Sequence, residues 1–418
     1  MKIVSFCSGG GGSDRHSARR ARLYGRWFVG SERMEEKSEL QRRLDEWREN
    51  AKHMYEQLDT VSLEWPTLSA QWLRDDRDGK RALVGTFTLG QEPEFVYEVE
   101  VDTDKQDPAE HQIVRWAVPP QPNSSADSHE AQRLRQSPVD PDLFACLAAD
   151  GGDVLVYHRS APNKPPTRLS AHTAAGFGLA WSPRDVALVS GAEDGRVVLW
   201  VPSAPGGPLE KRAELDTNSS VNEVSWDHEN DIVVALENGH VLVLDTQLKV
   251  VQDLACQSEA VNSASLSPFA PHLLVTGGAD GRWRLFDRRR DPATDPSDPA
   301  SGALHENGAH EGAINAVRWS PHVDGVLATA AMDGVVYLWD IRKIGQDQPH
   351  EDVLDGAAEL LFKHNGHLRG DQVQEIDWHP KIPLLLLSCD DRNALMSWKP
   401  KPEVIEAPRA PPMPSFLI

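Results

Sequence analysis

Cysteine is scarce in this 418-residue chain and follows no pattern: Cys7, Cys146, Cys256 and Cys389 stand far apart. Without a CxxC pair or a Cys/His cluster at ligand spacing, neither a disulfide framework nor a metal site is expected, and scattered thiols suit a reducing compartment. No run approaches about 20 consecutive apolar residues, so no membrane-spanning helix is expected. P-loop, HExxH and GxSxG signatures are missing too. Gly176 and Gly178 flank Phe177 at a strand start with no helix after them, so no phosphate cradle forms. The sequence therefore offers no catalytic residues and implies no cofactor. Positive charge is also short, with 43 Lys and Arg against 64 Asp and Glu, a formal charge of −21. Such a surface repels phosphate backbones and draws in basic partners, which argues against direct nucleic-acid binding.

The charge is unevenly spread. Residues 1–33 carry seven Lys and Arg against two acids, a net of +5, and include the run Gly9–Gly12. This composition reads as a disordered basic tail. From Met34 the pattern turns helical, with Leu40, Leu44, Trp47, Ala51, Met54 and Leu58 recurring at three- and four-residue steps. The spacing predicts an amphipathic helix over 34–60, with Ser38 as N-cap. A Pro-rich tail is expected over 406–418.

Between these ends, over 61–405, the chain repeats itself. Trp181, Trp226, Trp319 and Trp378 each end a short apolar alternation, with Leu266 at the matching place in a fifth repeat. A second large apolar residue follows about 18–20 positions later: Trp200, Leu244, Phe286, Trp339 and Trp398. Ser-Pro follows several of the first set (Ser182-Pro183, Ser267-Pro268, Ser320-Pro321), and Asp-Gly turns stand at Asp194-Gly195, Asp280-Gly281 and Asp333-Gly334. Constant internal length with variable linkers is what stacked blades require. His172, His310 and His367 precede the first strands of their repeats. The pattern resembles the WD-repeat family, whose blades open near Gly-His and close near Trp-Asp. That resemblance implies braces pairing His172 with Asp194 and His310 with Asp333. Counting the less regular repeats at 80–101 and 111–160 gives an all-β, seven-bladed WD40 β-propeller with an N-terminal α-helix packed on its side. The segment Trp65–Trp72 is the candidate outer strand that closes the last blade.

A narrower match follows. The Trp-bearing helix running into LEWPTLSAQWL, the segment Lys80 to Val101, and WDIRKIGQDQPHEDVLDGAAELLFKHNGH (339–367) together resemble the histone-binding WD-repeat proteins of the retinoblastoma-binding and chromatin assembly factor small-subunit type. The resemblance implies a nuclear, non-catalytic subunit of chromatin assembly, remodelling or histone-modifying complexes. Its partners would be core histones, above all the first helix of histone four. That helix would lie between the N-terminal helix and an acidic loop. Carried over by position, the loop acids are Glu351, Asp352 and Asp355, and the apolar wall is Met54, Leu58 and Phe362, with Ile405 contributing from the C-terminal end. Placed carboxylates suit arginines of a basic helix, and a groove at helical spacing suits its apolar face. Two departures from the family pattern are Ala357-Ala358 for a Pro-Pro pair and His53 for Phe. A second family site for the histone three tail falls on Ala175, Asn222, Ala313 and Asn315, where most of the acids are gone, so only the side site is carried over. The alternative reading is a substrate receptor of a cullin-type ubiquitin ligase, since Trp339, Asp340 and Arg342 fit a WDxR motif.

Overall fold

Period-two alternation in short runs, broken by Asp-Gly and Ser-Pro turns, builds strands that are each too short to bury a core alone. A computed structural model of the chain describes Trp47, Glu49 and residues 51–405, apart from 89–90, 102–107, 120–129, 150, 228–229, 291–298, 349–355 and 368–370. Among the described residues, 28 strands assort into seven four-stranded antiparallel sheets. Blades 1 to 6 span residues 70–117, 131–169, 178–216, 221–255, 261–307 and 314–364 in chain order. The first strand of each blade lies beside the first strand of the next, and that of blade 7 returns to that of blade 1, closing a seven-bladed propeller. Apolar clusters fill the seams between blades, with Trp72, Trp116, Trp283, Trp339 and Trp398 fully buried.

Blade 7 corrects two expectations. Its strands Val373–Trp378, Leu386–Asp390 and Ala394–Pro400 are completed by Tyr55–Ser62 from the other end of the chain, with Leu58 opposite Trp398 and Val61 opposite Leu395. The closing strand is thus not Trp65–Trp72, whose last residues form the innermost strand of blade 1, Ala70–Trp72. Nor does the helix run to residue 60. Ala51 is helical, Lys52–Met54 form a turn, and the strand begins at Tyr55. Helical spacing of Met54 and Leu58 yields to pairing, because Ala394–Pro400 would otherwise keep an unpaired edge. The tail 1–33, most of the expected helix and the segment 406–418 lie outside the described residues.

Both expected braces are present. His172 Nδ1 meets Asp194 at 3.2 Å while its Nε2 meets Ser190 Oγ at 2.7 Å, and Trp200 Nε1 donates to the same hydroxyl at 2.9 Å. His310 repeats this with Asp333 (3.0 Å), Thr329 (2.8 Å) and Trp339. A third brace joins His367 to Asp390 and Ser388, both at 2.7 Å, with Trp398 donating to Ser388. Blade 5 substitutes Gln257, whose amide donates to Thr276, while Asp280 holds Arg284 at 2.7 Å. The opposite turns are also uniform. Ser137, Ser182, Ser267 and Ser320 are buried, and each hydroxyl accepts from the backbone N–H groups two and three residues on. In blade 7 the ring nitrogen of His379 takes that place.

Side chains also tie the blades to one another. Register shifts leave Asn222, Asn262 and Asn315 without a cross-strand partner, and each amide donates to the next blade, at Val261 O, Ile314 O and Val373 O, over 2.8–3.0 Å. Two of the positions where a second histone site was sought are therefore inter-blade staples. Along the inner strands, Glu375 binds Arg133 and Arg135 of blade 2 and accepts from Ser69. Glu223 binds Arg318 of blade 6 and accepts from Ser263. Each unit is a Glu, a Ser one blade on and an Arg two blades on. Burial pushes the Glu375 carboxyl up, but Arg133 and Arg135 prevail and hold it at about 2.

The His367→Ala substitution removes two buried hydrogen bonds and strands the Asp390 carboxylate. It should lower stability by about 2–4 kcal/mol, read as a urea midpoint, whereas Gln257→Ala should cost about 1 kcal/mol. Asp377, which accepts from Trp72 N at 3.0 Å, is pushed up to about 6 by burial against the opposing pull of Arg74 and Arg135. A carboxyl raised in the folded state favours folding at low pH, and that contribution is lost as pH rises through about 6. Asp377→Asn should therefore flatten the stability profile between about pH 4 and 6 and add about 1–2 kcal/mol at pH 8, measured by denaturant unfolding across pH.

Candidate functional site

The strand Tyr55–Ser62 meets blade 6 at its outer strand, Leu360–His364, where alternation buries Phe362 and His364 and exposes Lys363. Tyr55 pins this seam. Its ring stands edge-on to Phe362 at 5.2 Å and its hydroxyl meets His364 Nδ1 at 2.8 Å, while His364 stacks flat on Trp398 at 4.2 Å. Burial drives the Tyr55 hydroxyl up and the His364 imidazole well down, so both stay neutral. Phe362, expected on an open wall, is 3% exposed and belongs to this packing. Leu58 is half-buried within the strand pair. Sequence reasoning passed over Tyr55 because helical spacing masked the strand beginning there.

What remains open lies just outside the seam. The turn Lys52–Met54 is joined to the short helix Pro402–Ile405, since Lys401 N donates to Met54 O at 2.9 Å. Met54 is 39% and Val404 37% exposed, two apolar side chains displayed on adjoining segments, with Ile405 half-buried behind them. Val404 was not foreseen, although it shares the helix with Ile405. The nearby cations are engaged: Lys399 pairs with Glu56 at 2.9 Å, and Lys363 lies over the Tyr337 ring.

The acidic insertion springs from the same blade 6. Its charged residues Glu351, Asp352 and Asp355 lie outside the described residues, but its base is well defined. Gln348 spans the mouth, with its amide oriented to donate to Gly356 O and accept from Ala358 N. Glu359 is not available to a partner. It is buried and accepts from His305 at 2.8 Å and Asn307 at 2.9 Å. Burial pushes its carboxyl up, yet these two bonds hold it below the usual range.

The WDxR residues have structural partners. Trp339 is buried in its brace, and Arg342 grips Asp340 through Nε at 2.7 Å and a terminal nitrogen at 2.9 Å. Blade 5 repeats the arrangement with Arg289 and Asp287. A feature that recurs between blades belongs to blade construction.

Residues 43–103 match the family model that describes histone-binding protein RBBP4 or its counterpart in the CAF1 complex, and 163–201, 248–287 and 303–340 match the WD domain, G-beta repeat. The chain is a WD-repeat protein of the histone-binding type. The histone-binding match covers the Lys52–Met54 turn, the closing strand and most of blade 1. Relatives of this WD-repeat type include histone acetyltransferase type B subunit 2 of Eremothecium gossypii, 29% identical with 89% of this chain and 88% of the relative covered. The same-named protein of Debaryomyces hansenii is 26% identical over 84% and 89%. Histone-binding protein MSI1 of Saccharomyces cerevisiae is 25% identical over 87% and 94%.

Removing the guanidinium in Arg342→Ala should leave the Asp340 carboxylate buried without its bidentate partner and lower stability by about 1–3 kcal/mol in urea unfolding. Arg342→Lys should recover little of this, because an ammonium cannot reproduce the planar fork.

Proposed function

We propose that this protein is a non-catalytic histone-binding subunit of chromatin assembly or histone-modifying complexes, acting in the nucleus. It grips a basic amphipathic histone helix, the first helix of histone four, by equilibrium binding at the edge of the blade 6–blade 7 seam. The observation that carries the reading is a coincidence of place. The segment that matches the histone-binding family model contains Met54, one of the few large apolar side chains left exposed, and Val404 is displayed beside its turn. The names of the relatives, a histone-binding protein and second subunits of histone acetyltransferases, agree with it.

The division of labour is physical. Met54, Val404 and Ile405 offer apolar contact to one face of a helix. Glu351, Asp352 and Asp355, on the insertion of blade 6, supply carboxylates for charge-assisted bonds to its arginines. An overall charge of −21 speeds encounter with a cationic partner. The ligase-receptor reading has no support, because Arg342 is committed to Asp340.

The test is a calorimetric titration of the full chain with a peptide of the first helix of histone four. Met54→Glu combined with Val404→Glu should weaken binding at least tenfold, as should Asp352→Lys combined with Asp355→Lys, the latter with a reduced salt dependence. Unchanged affinity in both double variants would discard the surface.

A further inference from the structure

Lys401 lies between the two exposed apolar residues and bonds to the segments of both. Its backbone N–H donates to Met54 O at 2.9 Å, its ammonium donates to Lys52 O at 2.8 Å, and its own carbonyl accepts from Val404 N at 3.0 Å. The turn Lys52–Met54 and the helix Pro402–Ile405 are thus held together through one residue from the C-terminal end of the ring. A turn and a four-residue helix have little order of their own, since neither is long enough to sustain itself. Their mutual placement must come from such bonds.

We propose that Lys401 is a positioning residue for the partner surface, fixing the Met54 turn against the Val404 helix so that the two side chains form one apolar patch. The inference rests on the binding reading above and adds a residue that never needs to touch the partner. It runs against simple electrostatics. A lysine beside a site for a cationic helix repels that helix, so on charge alone its removal should tighten binding. The ammonium is instead spent on the Lys52 carbonyl, and losing that bond frees the turn. The two effects have opposite signs, which makes the residue's role measurable.

The variants are Lys401→Met, which keeps the aliphatic stem and deletes the donors, and Lys401→Arg, which restores one. Lys363→Met serves as the charge control, because Lys363 lies on the neighbouring strand and stacks over Tyr337. Two readouts apply to the full chain: affinity for the histone four helix peptide, and amide hydrogen exchange of segments 52–58 and 399–405 without peptide. Lys401→Met should speed exchange in both segments at least threefold and weaken the peptide about three- to tenfold, as expected for one lost charge-assisted bond. Lys401→Arg should restore both, and Lys363→Met should leave affinity equal or tighter. Tighter binding by Lys401→Met, or exchange unchanged from wild type, overturns the proposal. If the wild-type chain does not bind the peptide, the binding reading fails and the partner half of this proposal with it, while exchange still decides whether Lys401 holds the turn.

Discussion

A ring of sheets closes only if the two ends of the chain share one sheet. Here that constraint is met by seven consecutive residue pairings, broken by one bulge, between Tyr55–Ser62 and Ala394–Pro400. The pairing removes two free strand edges at once. It also sets the end of the preceding helix, because the residues needed for the outer strand cannot remain helical. The elements assigned to partner binding, a turn before the first strand and a short helix after the last, are the immediate flanks of this joint. Closure and recognition are consequently built from the same stretch of backbone.

Much of the ring was legible in the sequence because its signals are local. Asp-Gly turns, buried Trp residues at fixed spacing and His residues before first strands all depend on neighbours within about 25 positions, and the structure places His172 with Asp194 and His310 with Asp333 as their spacing implied. The His367 brace was available on the same logic but was obscured by the doublet Asp390-Asp391, of which only Asp390 reaches the imidazole. The strand at Tyr55 was not legible. Met54 and Leu58 satisfy a helical period, and only the need to cover Ala394–Pro400, more than 300 positions away, decides otherwise. Phe362 failed for a related reason: sequence shows an apolar residue near a loop but not whether Tyr55 and Trp398 will cover it.

The inner strands solve a second problem, that of keeping seven similar units in a fixed arrangement. Buried Arg–Glu pairs contribute little net stability against well-packed apolar replacements, but breaking one is costly. Glu375 and Glu223 each engage blades two steps away as well as the adjacent one, so a blade in the wrong place would leave a buried charge unmatched. The asparagine staples act between immediate neighbours. Together they supply short- and long-range matching in the half of the ring that runs from blade 4 to blade 7 and on to blade 2.

The four Ser-Pro turns carry a consequence for chemical modification. In linear sequence Ser137, Ser182, Ser267 and Ser320, each followed by proline, look like targets for proline-directed kinases. In the folded ring each hydroxyl is sealed from solvent and occupied by two backbone amides. A phosphoryl group there would displace both amides and place nearly two negative charges beneath a blade. The ring thus hides its most kinase-like dipeptides, and phosphate on any of them would report a chain that was modified before it folded.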